Sequence, residues 1–204
     1  MACGNFIPEA PITMLIDHYL PRFQFSEKHA LLVQADPDLL LDAATQAETM
    51  EDPWTRRFID LRELPDRILG KLGTASGLKN KAAFGLDNFL LLGRDGEREI
   101  ALGLLGKFWQ ADYGLITLDS TAAFARFDQL GVPKLVLNFS TEIMSDGRIR
   151  LSTETRVFCN DRHSILRFTP YWWLIRPVSG LIRRRLLKRI AHAAKHLEQS
   201  AKEQ

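Results

Sequence analysis

The sequence predicts an α+β fold: an antiparallel sheet with a long C-terminal helix laid over one face. Three observations carry this. Asp95-Gly96 and Asp146-Gly147 each separate two apolar runs, and Asp-Gly is a strong short-range hairpin signal because its turn needs positive φ. The runs on either side alternate apolar and polar residues, the period of a strand. From Ile165 to Leu197 apolar residues recur every three or four positions, the period of one helix face.

Size and composition set the frame. A chain of 204 residues, 46% hydrophobic and 25% charged, has the make-up of a globular protein, which excludes disorder, collagen and a coiled-coil rod. Residues 1–22 read as an arm punctuated by Pro8, Pro11 and Pro21, and 23–204 as a single domain. Cys3 and Cys159 build no disulfide framework, and no C-x-x-C is present for zinc or redox chemistry. No apolar run approaches the ~20 residues of a spanning helix. Met1 to Leu20 holds no basic residue, so it does not read as a secretory signal, and a cytoplasmic location is expected.

The elements follow in order. Phe23 to Val33 alternates, with Phe23, Phe25, His29, Leu31 and Val33 placed on one strand face. Asp36-Pro37 has the form of an N-cap with proline at the first helical position, and Asp52-Pro53 repeats it before Trp54 to Leu61. Residues 70–85 carry Gly70, Gly73, Gly77 and Gly85 but match neither phosphate-binding glycine pattern. Strands are expected at Asn88–Gly93 and Glu99–Trp109, then at Lys134–Ile143 and Arg148–Phe158. Between the hairpins, Phe124 and Phe127 suit a short helix or a crossing segment.

The last two strands are one-sided. Leu135, Leu137, Phe139, Thr141 and Ile143 oppose Lys134, Asn138, Ser140 and Glu142; Ile149, Leu151, Thr153, Thr155 and Val157 oppose Arg148, Arg150, Ser152, Glu154 and Arg156. One face is therefore expected covered and the other wet. The cover is the helical stripe Ile165, Phe168, Trp172, Ile175, Ser179, Ile182, Leu186, Ile190, Ala193 and Leu197. Asp161 is placed to cap it, and Pro170, Pro177 and Gly180 are expected to bend or divide it.

This order, together with Leu151-Ser152-Thr153-Glu154-Thr155-Arg156-Val157 and Tyr171-Trp172 through Ile175-Arg176-Pro177 to Ile182-Arg183-Arg184, resembles the START-like, or polyketide cyclase (SRPBCC, helix-grip), superfamily, in an uncharacterised bacterial branch. The resemblance runs over roughly Phe23 to Ala194. It implies a curved antiparallel sheet wrapped around the C-terminal helix, two short helices after the first strand, and a hydrophobic cavity between sheet and helix. Members bind lipids, hormones or polyketides, and a few are enzymes. No cyclase active-site residue matches here. A sheet and a helix stripe can also bury each other without a ligand, so a packed core and a cavity both fit the pattern.

The expected ligand is a hydrophobic or amphipathic small molecule, lipid- or polyketide-like, bound without covalent catalysis and without a cofactor. The residues expected to line its site are Leu104, Phe108, Phe139, Thr153, Thr155, Trp172, Ile175 and Ser179. The threonines bring hydroxyls to an apolar face, where each needs a partner. Glu154 and Arg156 fall on the opposite face and read as a solvated pair. A cyclase- or dehydratase-type enzyme is the rival, and it needs an ionisable group on the inner face. His192 and His196 are i, i+4 but lack the Glu of H-E-x-x-H and a third ligand, so no metal is expected. Cys159, Asp161 and His163 cluster at a strand end, where an imidazolium can activate a thiol; an incidental cysteine in a turn also fits.

Charge is uneven. Residues 162–204 carry a formal +8 and residues 1–161 carry −6. Arg183, Arg184, Arg185, Lys188 and Arg189 concentrate it. They read as a solvated outer face with weak contact to an anionic membrane. Nucleic acid is not expected as a partner, because the overall pI is only ≈ 8.6 and no recognition motif is present.

Overall fold

The computed structural model describes residues 13–46, 88–110 and 113–202. The Asp52-Pro53 device, the helix expected at Trp54–Leu61, the glycine-rich stretch 70–85 and Cys3 lie outside the described residues.

Strand β1 (Phe25–Val33) is followed by α2 (Pro37–Thr45), and a shorter helix, α1 (Leu15–Tyr19), precedes it. The first hairpin is β2 (Leu90–Asp95) and β3 (Glu99–Leu105). Helix α3 (Thr121–Arg126) separates it from the second, β4 (Lys134–Ile143) and β5 (Ile149–Phe158), and α4 (Arg162–Lys202) ends the described chain. The sheet is antiparallel and open, in the order β1-β5-β4-β3-β2. The first strand thus pairs with the last, Phe25 opposite Val157 and Val33 opposite Ile149.

Both Asp-Gly turns are present, though not as two-residue turns. The β2–β3 loop is closed by Arg98 N–H donating to Asp95 O (2.9 Å), and the β4–β5 loop by Met144 N–H donating to Arg148 O (2.8 Å). Only the glycines take positive φ, Gly96 at 49° and Gly147 at 78°; with three and five residues in the loops, the aspartates need not. Asp36 caps α2 as its sequence foretells, its carboxylate accepting from Asp38 N–H at 2.8 Å, with Pro37 at the first helical position.

Helices α4 and α2 cover one face. Leu40, Leu41, Ala43 and Ala44 of α2 meet Leu187, Ile190 and Ala194 of α4 over Ile100, Phe139 and Leu151 of the sheet. A second cluster gathers Phe168 and Trp172 of α4 with Phe108, Leu104 and Val157. Burying side chains of this size stabilises by roughly 1.5–3 kcal/mol each.

The opposite face is not wet, a correction to the one-sided expectation. Helices α1 and α3 lie on it, with Ile16, Leu20 and Phe124 packed against Ala101, Leu105 and Val136, which is why β3 is buried on both sides. Within the arm, Leu15–Tyr19 is therefore helical and packed on the sheet. Its helix lacks a side-chain cap of its own. Glu99, 0% exposed, supplies one: its carboxylate accepts from Leu15 N–H (2.5 Å), Ile16 N–H (3.1 Å) and Asn138 Nδ2 (2.6 Å), placing negative charge at a helix N-terminus. Glu154 and Arg156, expected solvated, are largely buried here. Arg156 binds Glu154 and Asp17, each at 2.6 Å.

Helix α4 is continuous over 41 residues with Pro170 and Pro177 inside it, rather than divided into two pieces. Asp161 caps it, accepting from Ser164 N–H (2.8 Å) and Ser164 Oγ (2.6 Å), and also from Gly131 N–H (2.8 Å). These three donors hold its carboxyl down to about 2.

Candidate functional site: a buried charged layer under the terminal helix

Period two along β1 puts Phe25, Glu27, His29, Leu31 and Val33 on one face, the face α4 covers. Glu27 is 7% exposed, and its Oε1 accepts from His29 Nε2 at 2.7 Å. Register then places Thr155 opposite Glu27 and Thr153 opposite His29. Above them runs the middle of α4, where Gly180 is buried. A Cβ added there would stand 2.9 Å from Glu27 Oε1 and 3.4 Å from the His29 ring. Glycine is what allows the helix backbone to pass this close.

One helical turn on, Arg183 reaches down. Its Nη1 donates to Thr153 Oγ1 at 3.4 Å, and that hydroxyl donates in turn to Asn138 O at 2.9 Å. Burial pulls the Arg183 guanidinium down to about 10, with the Glu27 carboxylate acting in the opposite direction; at neutral pH it remains a cation. The sequence reading grouped Arg183 with the outer basic face, and the structure removes it from that group. Of the others, Arg184, Arg185 and Lys188 are exposed and Arg189 is half-buried.

The layer is incompletely paired. Glu27 Oε2, Thr155 Oγ1 and Arg183 Nε are buried and have no hydrogen-bond partner among the described residues. Each such group forfeits roughly 1–3 kcal/mol of hydration without return. They lie between two apolar regions, the Phe25–Phe168–Trp172 cluster on one side and the Leu151–Phe139–Leu187 cluster on the other.

The eight residues expected to line one site are divided by the structure. Leu104, Phe108 and Trp172 pack together, with Ile175 half-buried at their margin. Phe139 belongs to the other apolar cluster. Thr153 and Thr155 belong to the charged layer, and half-buried Ser179 adjoins Gly180. Glu27 and Arg183 were missed. Strand parity was the available signal for Glu27, since it shares the face of Phe25 and His29. Phe168, Trp172 and Ile190 of the expected stripe are buried, but around Arg183 the stripe was phased one residue early: Gly180, Leu187 and Ala194 are buried, and Ile182, Leu186, Ala193 and Leu197 are half-buried.

Two openings lie elsewhere among the described residues, and neither is lined by Glu27, His29, Thr155 or Arg183. A cleft of about 440 Å³ lies between the end of β1 and the later turns of α4, with Leu31, Val33 and Ala191 in its floor and Arg148, Lys188 and Lys195 at its rim. A slot of about 80 Å³ lies at the β2–β3 side, bounded by Leu104, Gly103, Ile116 and Phe124.

The remaining candidates resolve simply. Cys159 is buried, and its thiol is pushed up to about 12 by burial and by Asp161, so it is no activated nucleophile. His192 and His196 stack with ring centroids 4.6 Å apart on the exposed side of α4. No helix among the described residues is long and apolar enough to cross a membrane.

Fold and site together define an α+β protein with a charged layer enclosed between its sheet and its terminal helix. No protein-family model matches the chain, and no curated protein sequence matches it.

Proposed function

We propose that the chain is a helix-grip protein that binds an amphipathic small molecule between the sheet and α4, holding the molecule's polar end in the Glu27–Thr155–Arg183 layer and its apolar part against the flanking clusters. The observation that carries this reading is the set of three buried polar atoms without partners. Arg183 Nε–H can only donate, a Glu27 carboxylate oxygen accepts, and the Thr155 hydroxyl does either. A ligand group that both donates and accepts, such as a hydroxyl, a carboxylic acid or a primary amide, answers all three. The pairing of first strand with last under a terminal helix also supports the helix-grip reading, and Pro177 and Gly180 place the weakest part of α4 over the layer. The test is mass spectrometry of small molecules extracted from natively purified protein, wild type against Thr155→Val and Arg183→Met. A ligand retained by the wild type and depleted in both variants is the expected result; no co-purified or titratable amphiphile in the wild type refutes the reading.

The Glu27–His29 pair favours a second reading, an enzyme of cyclase or dehydratase type. A carboxylate holding an imidazole at 2.7 Å is a general acid–base unit when substrate reaches it, and it supplies the inner-face ionisable group that this reading needs. Under that reading His29→Gln abolishes turnover of a bound β-hydroxyketone-type substrate while leaving its binding within a few-fold.

A further inference from the structure

From Arg162 to Leu197 the chain carries nine Lys or Arg and no Asp or Glu. This run is nearly all of α4: Arg183 turns inward, while Arg162, Arg167, Arg176, Arg184 and Lys188 are exposed. The same outer side also carries large apolar groups. Leu166 is 73% exposed, Trp173 66%, Leu174 77% and Leu181 55%, with Pro170 and Pro177 exposed between them. Spaced by three, four or seven, these residues share one helix face, extending about 22 Å along the axis at 1.5 Å per residue. This stripe is distinct from the one α4 turns toward the sheet, so burial of the inner stripe does not consume it.

The two chemistries are arranged together. The Arg176 guanidinium sits over the Trp173 ring, 5.9 Å from its centroid. Arg167 and Arg184 flank the apolar stretch. A tryptophan and leucines projecting between arginines suit a bilayer interface, where the indole lies at headgroup depth, the leucines enter the acyl boundary and the guanidinia meet phosphates. A nucleic acid would use the charges but leave Leu166, Leu174 and Leu181 in water. A protein partner of acidic character would also match the charge; the stripe, convex and with its apolar groups standing out from a single helix, has the form of an element that inserts rather than of a groove that receives.

We infer that the outer face of α4 docks on anionic lipid bilayers, with Trp173, Leu174 and Leu181 inserted and Arg167, Arg176, Arg184 and Lys188 on the headgroups. The helix then lies in the plane of the interface, and its other side stays on the sheet.

The test is flotation of the full chain with phosphatidylcholine vesicles, with and without phosphatidylglycerol, at low and high salt. Two variants accompany it, Trp173→Ser/Leu174→Ser and Arg167→Gln/Arg184→Gln/Lys188→Gln, all at exposed positions away from the charged layer, with circular dichroism to verify folding. The expected result is binding to the anionic vesicles only, weakened by salt, and weakened on the order of a hundredfold by loss of the three charges. The serine variant is expected to lose binding even at low salt, and Trp173 emission to shift to the blue on anionic vesicles, a shift absent from Trp173→Phe. Failure of the wild type to float with anionic vesicles overturns the inference. So does equal binding to neutral vesicles, and so does a serine variant that still binds both anionic vesicles and single-stranded RNA, which would make this a general polyanion face.

Discussion

Gly180 is where helix and sheet approach most closely, and replacing it tests that geometry by sign rather than by size alone. In a helix interior, Gly→Ala stabilises by about 1 kcal/mol when the added methyl is free of contacts. Here the methyl would stand 2.9 Å from Glu27 Oε1 and 3.4 Å from two atoms of the His29 ring. The carboxylate must give by several tenths of an ångström, and it is held by His29 at 2.7 Å, a hydrogen bond of a charged group worth roughly 1.5–3 kcal/mol. Losing most of that bond outweighs the helical gain, so Gly180→Ala is expected to destabilise by about 1 kcal/mol. In a Glu27→Ala background the obstructing atom is gone, and the same substitution is expected to stabilise by up to about 1 kcal/mol. The coupling energy of the cycle is then on the order of 2 kcal/mol. Urea unfolding followed by circular dichroism measures all four proteins. If Gly180→Ala stabilises both backgrounds equally, α4 does not rest on Glu27, and the charged layer as described is wrong.

Other expectations follow from the same packing. Trp172→Ala removes a ring seated on Phe168 and Phe25 and is expected to cost ~3–5 kcal/mol; an unchanged urea midpoint would place the residue outside the core. Glu99→Ala leaves two α1 amides and Asn138 without their acceptor, so the amides of Leu15 and Ile16 should lose their hydrogen-exchange protection while β4–β5 protection persists. Asp161 has its carboxyl held down to about 2 against an ordinary ~3.9; its stabilising effect is fully present above about pH 4 and lost as pH falls toward 2. Asp161→Asn, which keeps a capping acceptor, should flatten that part of the acid-denaturation curve, and a curve of unchanged shape would contradict the assignment.

The architecture was legible where one local rule acts alone. Asp36-Pro37 and Asp161 announce helix starts because capping involves only neighbouring residues. Gly96 and Gly147 mark turns because positive φ has few occupants. The strands declare themselves by alternation, and α4 by its three-or-four spacing. What stayed hidden depended on distant partners. Nothing in Met14–Tyr19 says that Glu99, some 80 residues away, will cap it, so a covered face passed for a wet one. The phase of α4 is set by the fit of Leu187 and Ala194 against Leu40 and Leu41, and a shift of one residue moved Arg183 from the surface to the layer. Glu27 was the nearest miss, since parity had placed it beside Phe25 and His29 and only its charge argued otherwise.

The pairing of β1 with β5 also constrains how the chain is made. Val33 finds its partner in Ile149, 116 positions later. At roughly 5–20 residues per second, a ribosome takes about 6–23 s to deliver that partner, and α4, which seals Glu27 and His29, arrives later still. Throughout that interval β1 lacks its partner strand β5, and Phe25 lacks the Phe168 and Trp172 rings that cover it; a strand in that state can pair wrongly. Slow codons or a stalled ribosome between residues 34 and 148 would prolong the exposure. Losses of yield on overexpression should therefore respond to translation speed and to trigger-type chaperones even where the finished protein's stability is unchanged.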